Sequence, residues 1–310
     1  MLKGYCVISD YSEDAIKMFT NCGIDFNIAV SKERPDEDEL KRLVQEYDLL
    51  IIGAKEKMTS AVYNCATKLK ILGTLSIGMD HIAKEFMDSS KIKIFNCPKS
   101  NVISVAEHAF SLILALQKKI VESNNATIQG KGRSGINGLP HDLFGKKIGI
   151  IGAGQIATEM VNLANAFRME ILSYTFNPER HFDLKCKGVK FVELEVLLQE
   201  ADIISIHLPL SKLSEKLIDA KKIHMMKESA IFINTSREQI VDTSYLINYA
   251  NEHPDFKIGL DIDIDGLKDS VLKYRDNILI TPHTAGVSLE AIIRMDTELA
   301  DSITRYLKFR

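Results

Sequence analysis

Apolar positions along the chain fall into two spacings. Short continuous runs recur through the first hundred residues: "GYCVIS" (4–9), "FNIAV" (26–30), "DLLIIGA" (48–54), "LKILGTLS" (69–76) and "KIKIFNC" (91–97). Runs of this length read as strands buried on both faces. Between them lie segments of helical period. In "DEDELKRLVQEY" (36–47), Leu40, Leu43 and Val44 share one face. "NVISVAEHAFSLILALQKKI" (101–120) is apolar around much of its surface. It predicts one long helix, buried, in part between subunits. "QGKGRSGINGLPHDLFG" (129–145) is glycine-rich and predicts a loop. A second alternating series follows, with strands expected at 146–152, 170–176, 190–193, 201–209, 229–236, 256–265 and 277–283. An amphipathic helix is expected over 288–309. Strands alternating with helices imply α/β architecture, here two doubly wound parallel-sheet domains.

Bulk composition narrows the class. The 310 residues are 45% hydrophobic and 26% charged, typical of a globular protein. A formal charge of −3 gives no reason to expect nucleic acid or an anionic membrane as partner. The N-terminus "MLKGYCVISDYSED" lacks the apolar stretch of a signal peptide, and no run approaches the roughly 18 apolar residues of a membrane helix. Cys6, Cys22, Cys65, Cys97 and Cys186 are scattered and form no CxxC pair. That pattern favours reduced thiols in a cytoplasm over disulfides or a metal site, and no metal is expected.

"GIIGAGQIA" (149–157) carries the first chemical signal. Gly152, Gly154 and Ala157 form G-x-G-x-x-A between an apolar strand and a helix. The first glycine allows a tight turn, the second leaves room for a pyrophosphate, and the small third residue lets helix and strand pack closely. The phosphates would then meet the N–H groups of a helix start. A dinucleotide unit usually carries a carboxylate near the end of the next strand, for the adenosine ribose. Here "ILSYTFNPERH" (171–181) offers Thr175, with Arg180 and His181 behind it. A carboxylate at 175 would repel a 2′-phosphate; Thr175 does not, and Arg180 could pair with one. The segment leans toward NADP, or use of both cofactors. The alternative is NAD, with Thr175 on the ribose and Arg180 a solvated charge.

Seven segments, in order, resemble the D-isomer-specific 2-hydroxyacid dehydrogenase family: "LGTLSIGMDHI" (72–82), "NCPKSNVISVAEHAFSLILAL" (96–116), "LFGKKIGIIGAGQIA" (143–157), "HLPL" (207–210), "INTSREQIVD" (233–242), "GLDIDIDG" (259–266) and "TPHTAG" (281–286). The resemblance implies a Rossmann cofactor domain (99–284) inserted into a flavodoxin-like substrate domain (1–98 and 285–310). It also implies a homodimer, with the helix at 101–120 near the contact.

It further implies hydride transfer between NAD(P)H and a small 2-keto or 2-hydroxy acid. His283, at the end of a strand, matches the family's acid/base histidine, a group able to titrate near neutrality. Arg237 matches the substrate arginine, whose planar fork suits a carboxylate. The glycine usual after it is Glu238 here. The backbone of Ile77 and Gly78 matches the loop that holds the substrate carboxylate. Asp261 matches the residue that receives the nicotinamide amide. Gln155, Ile156, His207, Pro209, Thr235 and Gly286 fall on cofactor-lining positions. Where the family carries a glutamate partner for the histidine, this chain has Gly266. Asp265, one residue away and alternating with Asp261 and Asp263, is the candidate stand-in; otherwise His283 works unassisted or some other residue serves. The chain also lacks tryptophan, so an aromatic often found before the family's Rossmann unit is absent.

Two functions follow. The first is an NAD(P)-dependent reductase of glyoxylate or hydroxypyruvate type, or a dehydrogenase of phosphoglycerate type. The second is a dinucleotide-sensing regulator on the same fold with little turnover. The absent glutamate supports it; the presence of both Arg237 and His283 argues against it.

Overall fold

The computed structural model describes residues 1–262 and 276–309. The chain divides into two compact units, Met1–Asn101 with Val287–Arg310, and Val102–Gly286.

In the first unit the strands are β1 (Leu2–Cys6), β2 (Ile24–Ile28), β3 (Leu49–Ile52), β4 (Ile71–Thr74) and β5 (Lys93–Phe95). They form one parallel sheet in the order β2-β1-β3-β4-β5. Central β3 is "LLII", with every residue fully buried. Its side chains alternate between two cores, as the strand period of two requires. Leu49 and Ile51 join Ala291, Leu299 and Ile303 of the C-terminal helix Leu289–Lys308. Leu50 and Ile52 join Leu40, Leu43 and Val44 of the helix Glu37–Glu46, the face expected from its spacing. Each such fully buried aliphatic side chain stabilises the fold by about 2 kcal/mol. Helix starts are capped in the expected manner: Ser12, Asp36 and Ser288 side chains accept from Ala15, Glu39 and Ala291 N–H groups.

In the second unit the strands are β6 (Lys147–Ile151), β7 (Glu170–Tyr174), β8 (Lys190–Phe191), β9 (Ile203–Ile206), β10 (Ile231–Asn234), β11 (Lys257–Asp261) and β12 (Ile278–Thr281). Their order is β12-β11-β10-β9-β6-β7-β8, again parallel. Chain direction through the sheet reverses between β6 and β9. Open α/β sheets bind ligands beyond the carboxyl ends of the strands at such a reversal.

The region 101–120 departs from the sequence expectation. The helix Val102–Gln117 stops, Lys119 takes a left-handed conformation at φ +52°, and a second helix runs Ile120–Ile128. A buried carboxylate lies at the break. Glu122, 5% exposed, pairs with Lys119 Nζ at 2.8 Å and accepts the Asn137 N–H, tying helix and following loop into one turn. That loop contains a short 3-10 turn, Gly132–Gly135. The last expected strand segment, 256–265, is a strand as far as Asp261; Asp263, Asp265 and Gly266 lie outside the described residues.

Candidate active site

The glycine turn sits at the reversal. Gly152 follows β6 with φ +113°, and its N–H donates to the Tyr174 carbonyl at 2.8 Å. A Cβ there would lie 2.4 Å from the His207 carbonyl oxygen, so only glycine fits. Gly154 caps the helix Gln155–Ala166, and a Cβ on it would meet nothing within 4 Å. The space the second glycine should leave is open. Gln155 and Ile156 make the first turn of that helix, and Ala157 is fully buried against the sheet. N–H groups at this helix start have no intrahelical acceptor and carry positive potential.

Beyond β7, Thr175 is partly exposed, and the 3-10 turn Pro178–Arg180 leaves Arg180 on the surface. His181 stacks on Phe191 with ring centres 6.3 Å apart.

Just beyond β9 and β10, two buried polar atoms lack a partner among the described residues: His207 Nδ1 and Thr235 Oγ1. Both residues are on expected cofactor-lining positions. His207 Nε2 meets Ser205 Oγ at 2.8 Å, and burial pushes the imidazole pKa down to about 3, so it is neutral across physiological pH. Buried polar atoms without partners are costly in a finished fold. A dinucleotide, rich in hydroxyl and amide groups, fits both the orphaned atoms and the open space at Gly154. Pro209 follows on the same loop, exposed, its carbonyl accepting from Ser214 Oγ at 2.6 Å.

Arg237 lies just beyond β10. Its carbonyl accepts from Asn234 Nδ2 at 3.0 Å, and its Nη1 donates to the Ser236 carbonyl at 3.0 Å. Glu238 opens the 3-10 turn Glu238–Ile240 and is absent from the positive-φ residues. Nothing at 238 therefore demands glycine, which is why the departure from the family pattern is accommodated. His283 lies just beyond β12, exposed, in the left-handed region at φ +54°. Only β11 separates β12 from β10. Two strand spacings put the bases of the Arg237 and His283 turns on the order of 10 Å apart.

Asp261 ends β11 opposite Thr281 and is 1% exposed. Its Oδ1 accepts from Thr281 Oγ1 at 2.6 Å and from the Thr284 N–H at 2.8 Å; its Oδ2 accepts from the Ala285 N–H at 2.8 Å. Gly286 closes this turn. His108, on the helix Val102–Gln117, reaches Thr281 Oγ1 at 2.9 Å. Neither His108 nor Thr281 was singled out by sequence, because a histidine in an apolar helix and a threonine ending a strand carry no motif of their own.

The loop of Ile77 and Gly78 follows β4 in the first unit. Its carbonyls are tied down: Gly78 O accepts from Ser76 Oγ at 2.7 Å and Ile77 O from Asn96 Nδ2 at 2.8 Å. Neither N–H donates to another backbone group among the described residues. No group of three metal-ligating side chains occurs among the described residues, and no described helix is long and apolar enough to cross a membrane.

Residues 110–285 match the NAD binding domain of the D-isomer specific 2-hydroxyacid dehydrogenases. The chain is 32% identical over 286 residues to a hydroxypyruvate reductase of Thermotoga maritima, covering 90% of this chain and 91% of that protein. Two solved structures share the fold. A D-lactate dehydrogenase of Aquifex aeolicus complexed with NAD and lactic acid superposes with a TM-score of 0.83 at 25% identity, covering 99% of this chain and 96% of that one. An acyclic imino acid reductase in complex with NADPH and D-Arg gives 0.88 at 27% identity, covering 99% and 98%. The chain belongs to the D-isomer specific 2-hydroxyacid dehydrogenase family: it is an NAD(P)-dependent oxidoreductase whose NAD-binding domain spans residues 110–285.

Proposed function

We propose that this enzyme reduces a small, unphosphorylated 2-keto acid of glyoxylate or hydroxypyruvate type to the D-2-hydroxy acid, with NADPH preferred. The observation that carries the cofactor preference is the residue after β7: Thr175 stands where a carboxylate would repel a 2′-phosphate, with Arg180 exposed at the end of the following 3-10 turn. The near full-length likeness to a hydroxypyruvate reductase supports the substrate class.

In this reading the unit Val102–Gly286 is the cofactor domain and the other unit the substrate domain. The bound cofactor supplies or takes up a hydride at C2 of the substrate. Gly152, Gly154, Gln155 and Ile156 hold its pyrophosphate through backbone N–H groups; His207, Pro209, Thr235, Asp261 and Gly286 line its remainder. Arg237 binds the substrate carboxylate and polarises the adjacent carbonyl. His283 delivers a proton to the carbonyl oxygen as the hydride arrives at carbon, and takes it back in the reverse direction. A protein of this class with five free cysteines, Cys6 and Cys97 fully buried, suits a reducing cytoplasm. Exposed Ile103, Ile120, Ile128, Leu139 and Phe144, all on the helix–break–helix segment and its loop, are the surface on which a homodimer would close.

The test is NADPH and NADH oxidation against glyoxylate, hydroxypyruvate, pyruvate and phosphohydroxypyruvate. Turnover on the unphosphorylated acids with NADPH favoured is expected. Tight dinucleotide binding with no turnover on any of them would instead identify a sensor on the same fold.

A further inference from the structure

His283 sits at φ +54°, a conformation that a residue with a Cβ adopts only when its surroundings enforce it. Directly after it, the Asp261 carboxylate holds the turn. It collects the two consecutive N–H groups that follow the histidine, Thr284 onto Oδ1 and Ala285 onto Oδ2, each at 2.8 Å. Thr281 Oγ1 donates to the same Oδ1 at 2.6 Å. A hydroxyl has one hydrogen. Thr281 Oγ1 lies 2.6 Å from the carboxylate and 3.4 Å from the Leu260 carbonyl, so the hydrogen is assigned to the carboxylate and Thr281 to accepting from His108 Nε2 at 2.9 Å. His108 therefore carries its proton on Nε2, an atom 3.8 Å from Asp261 Oδ1. Three of the carboxylate's lone-pair directions are filled; one on Oδ2 is left, enough for a nicotinamide amide.

We propose that His108 and Thr281 are positioning residues for His283. His108 fixes the rotamer of the Thr281 hydroxyl, the hydroxyl with the two amides fixes the Asp261 carboxylate, and the carboxylate fixes the left-handed turn that presents the imidazole. The helix Val102–Gln117 thus supports the proton-transfer group through a chain of hydrogen bonds, whatever occupies the place of the family glutamate. This inference rests on the reading of His283 as the acid/base group. A misplacement of about 1 Å at a reacting group can slow a step about 10²-fold.

The experiment compares His108→Leu, His108→Gln, Thr281→Val, Thr281→Ser and the double variant His108→Leu/Thr281→Val in the cofactor-loaded enzyme, with His283→Ala alongside. His108→Leu and Thr281→Val should each lower kcat about tenfold. The keto acid KM and the NADPH dissociation constant should stay within about twofold. Gln, which keeps an N–H donor near Nε2, and Ser, which keeps the hydroxyl, should restore kcat to within about threefold. The double variant should be no slower than either single, since both break one chain. Wild-type kcat in His108→Leu, no rescue by Gln or Ser, or multiplying losses in the double variant would overturn the proposal. The Thr281 pair decides if the His108 variants do not fold. Turnover surviving in His283→Ala would overturn the acid/base reading itself; an inactive His283→Ala beside a wild-type His108→Leu would overturn only the chain.

Discussion

The carbonyl oxygen of His207 occupies the place that a side chain at residue 152 would need: a Cβ built on Gly152 comes within 2.4 Å of it. The glycine turn and the strand end that carries His207 are thus packed backbone against backbone. Gly152→Ala adds a methyl group to that contact and forces alanine into φ +113°. It should destabilise the protein by about 2–4 kcal/mol and remove measurable NADPH binding. Thermal unfolding and NADPH fluorescence titration check both; unchanged binding would show that the turn is not the phosphate site.

Thr175→Asp returns a carboxylate to the end of β7. The ratio of kcat/KM with NADPH to that with NADH should fall about tenfold, the equivalent of 1.4 kcal/mol, measured by paired initial-rate series. An unchanged ratio would refute the reading of Thr175 and Arg180.

Two buried groups give the free protein opposite pH dependences. His207 is held neutral, its folded pKa near 3 against an ordinary 6.5. Its contribution is complete above pH 6.5 and is lost below, by about 1.4 kcal/mol per pH unit. Asp296, on the C-terminal helix and accepting the Ser12 N–H at 2.8 Å, is pushed up by burial to about 6 from 3.8. Its contribution is complete below about pH 4 and is lost as pH rises through 6. Against wild type, His207→Gln should flatten the loss of melting temperature between pH 6.5 and 5, and Asp296→Asn should gain stability between pH 4 and 7. Parallel melting curves for wild type and either variant would contradict the assigned burial.

Arg237→Lys keeps the charge and loses the planar fork. A rise in keto acid KM together with a fall in kcat is expected, each about tenfold or more, because the same contact serves ground and transition states. Steady-state kinetics at saturating NADPH read it; wild-type values would remove Arg237 from the substrate.

How much of this was legible in the sequence depends on whether a residue's role is local. The buried strands announced themselves: "LLII" of β3 and "IFI" of β10 are apolar throughout because both faces are covered. The glycine turn was equally plain, since Gly152 answers a backbone requirement written within six residues. The end of the helix at Gln117 was not: Glu122 is buried with Lys119 at the break, a tertiary fact hidden in an apolar period. The support of His283 was hidden for the same reason. Asp261, Thr281 and His108 are drawn from three separate segments and meet only in the fold. Thr175 could be read as a departure, but its consequence for the cofactor is a matter of what a missing charge permits. Asp265 was named from alternation with Asp261, and lies outside the described residues.

The central claim is that the imidazole at 283 moves the proton while the dinucleotide is held by other residues. The measurement that tests it most directly is NADPH-dependent reduction of hydroxypyruvate by His283→Ala, beside NADPH affinity by fluorescence titration. The account predicts a fall in kcat of about 10²–10⁴-fold, with the dissociation constant for NADPH within a few-fold of wild type. Turnover near wild type, or loss of NADPH binding in place of turnover, would contradict it.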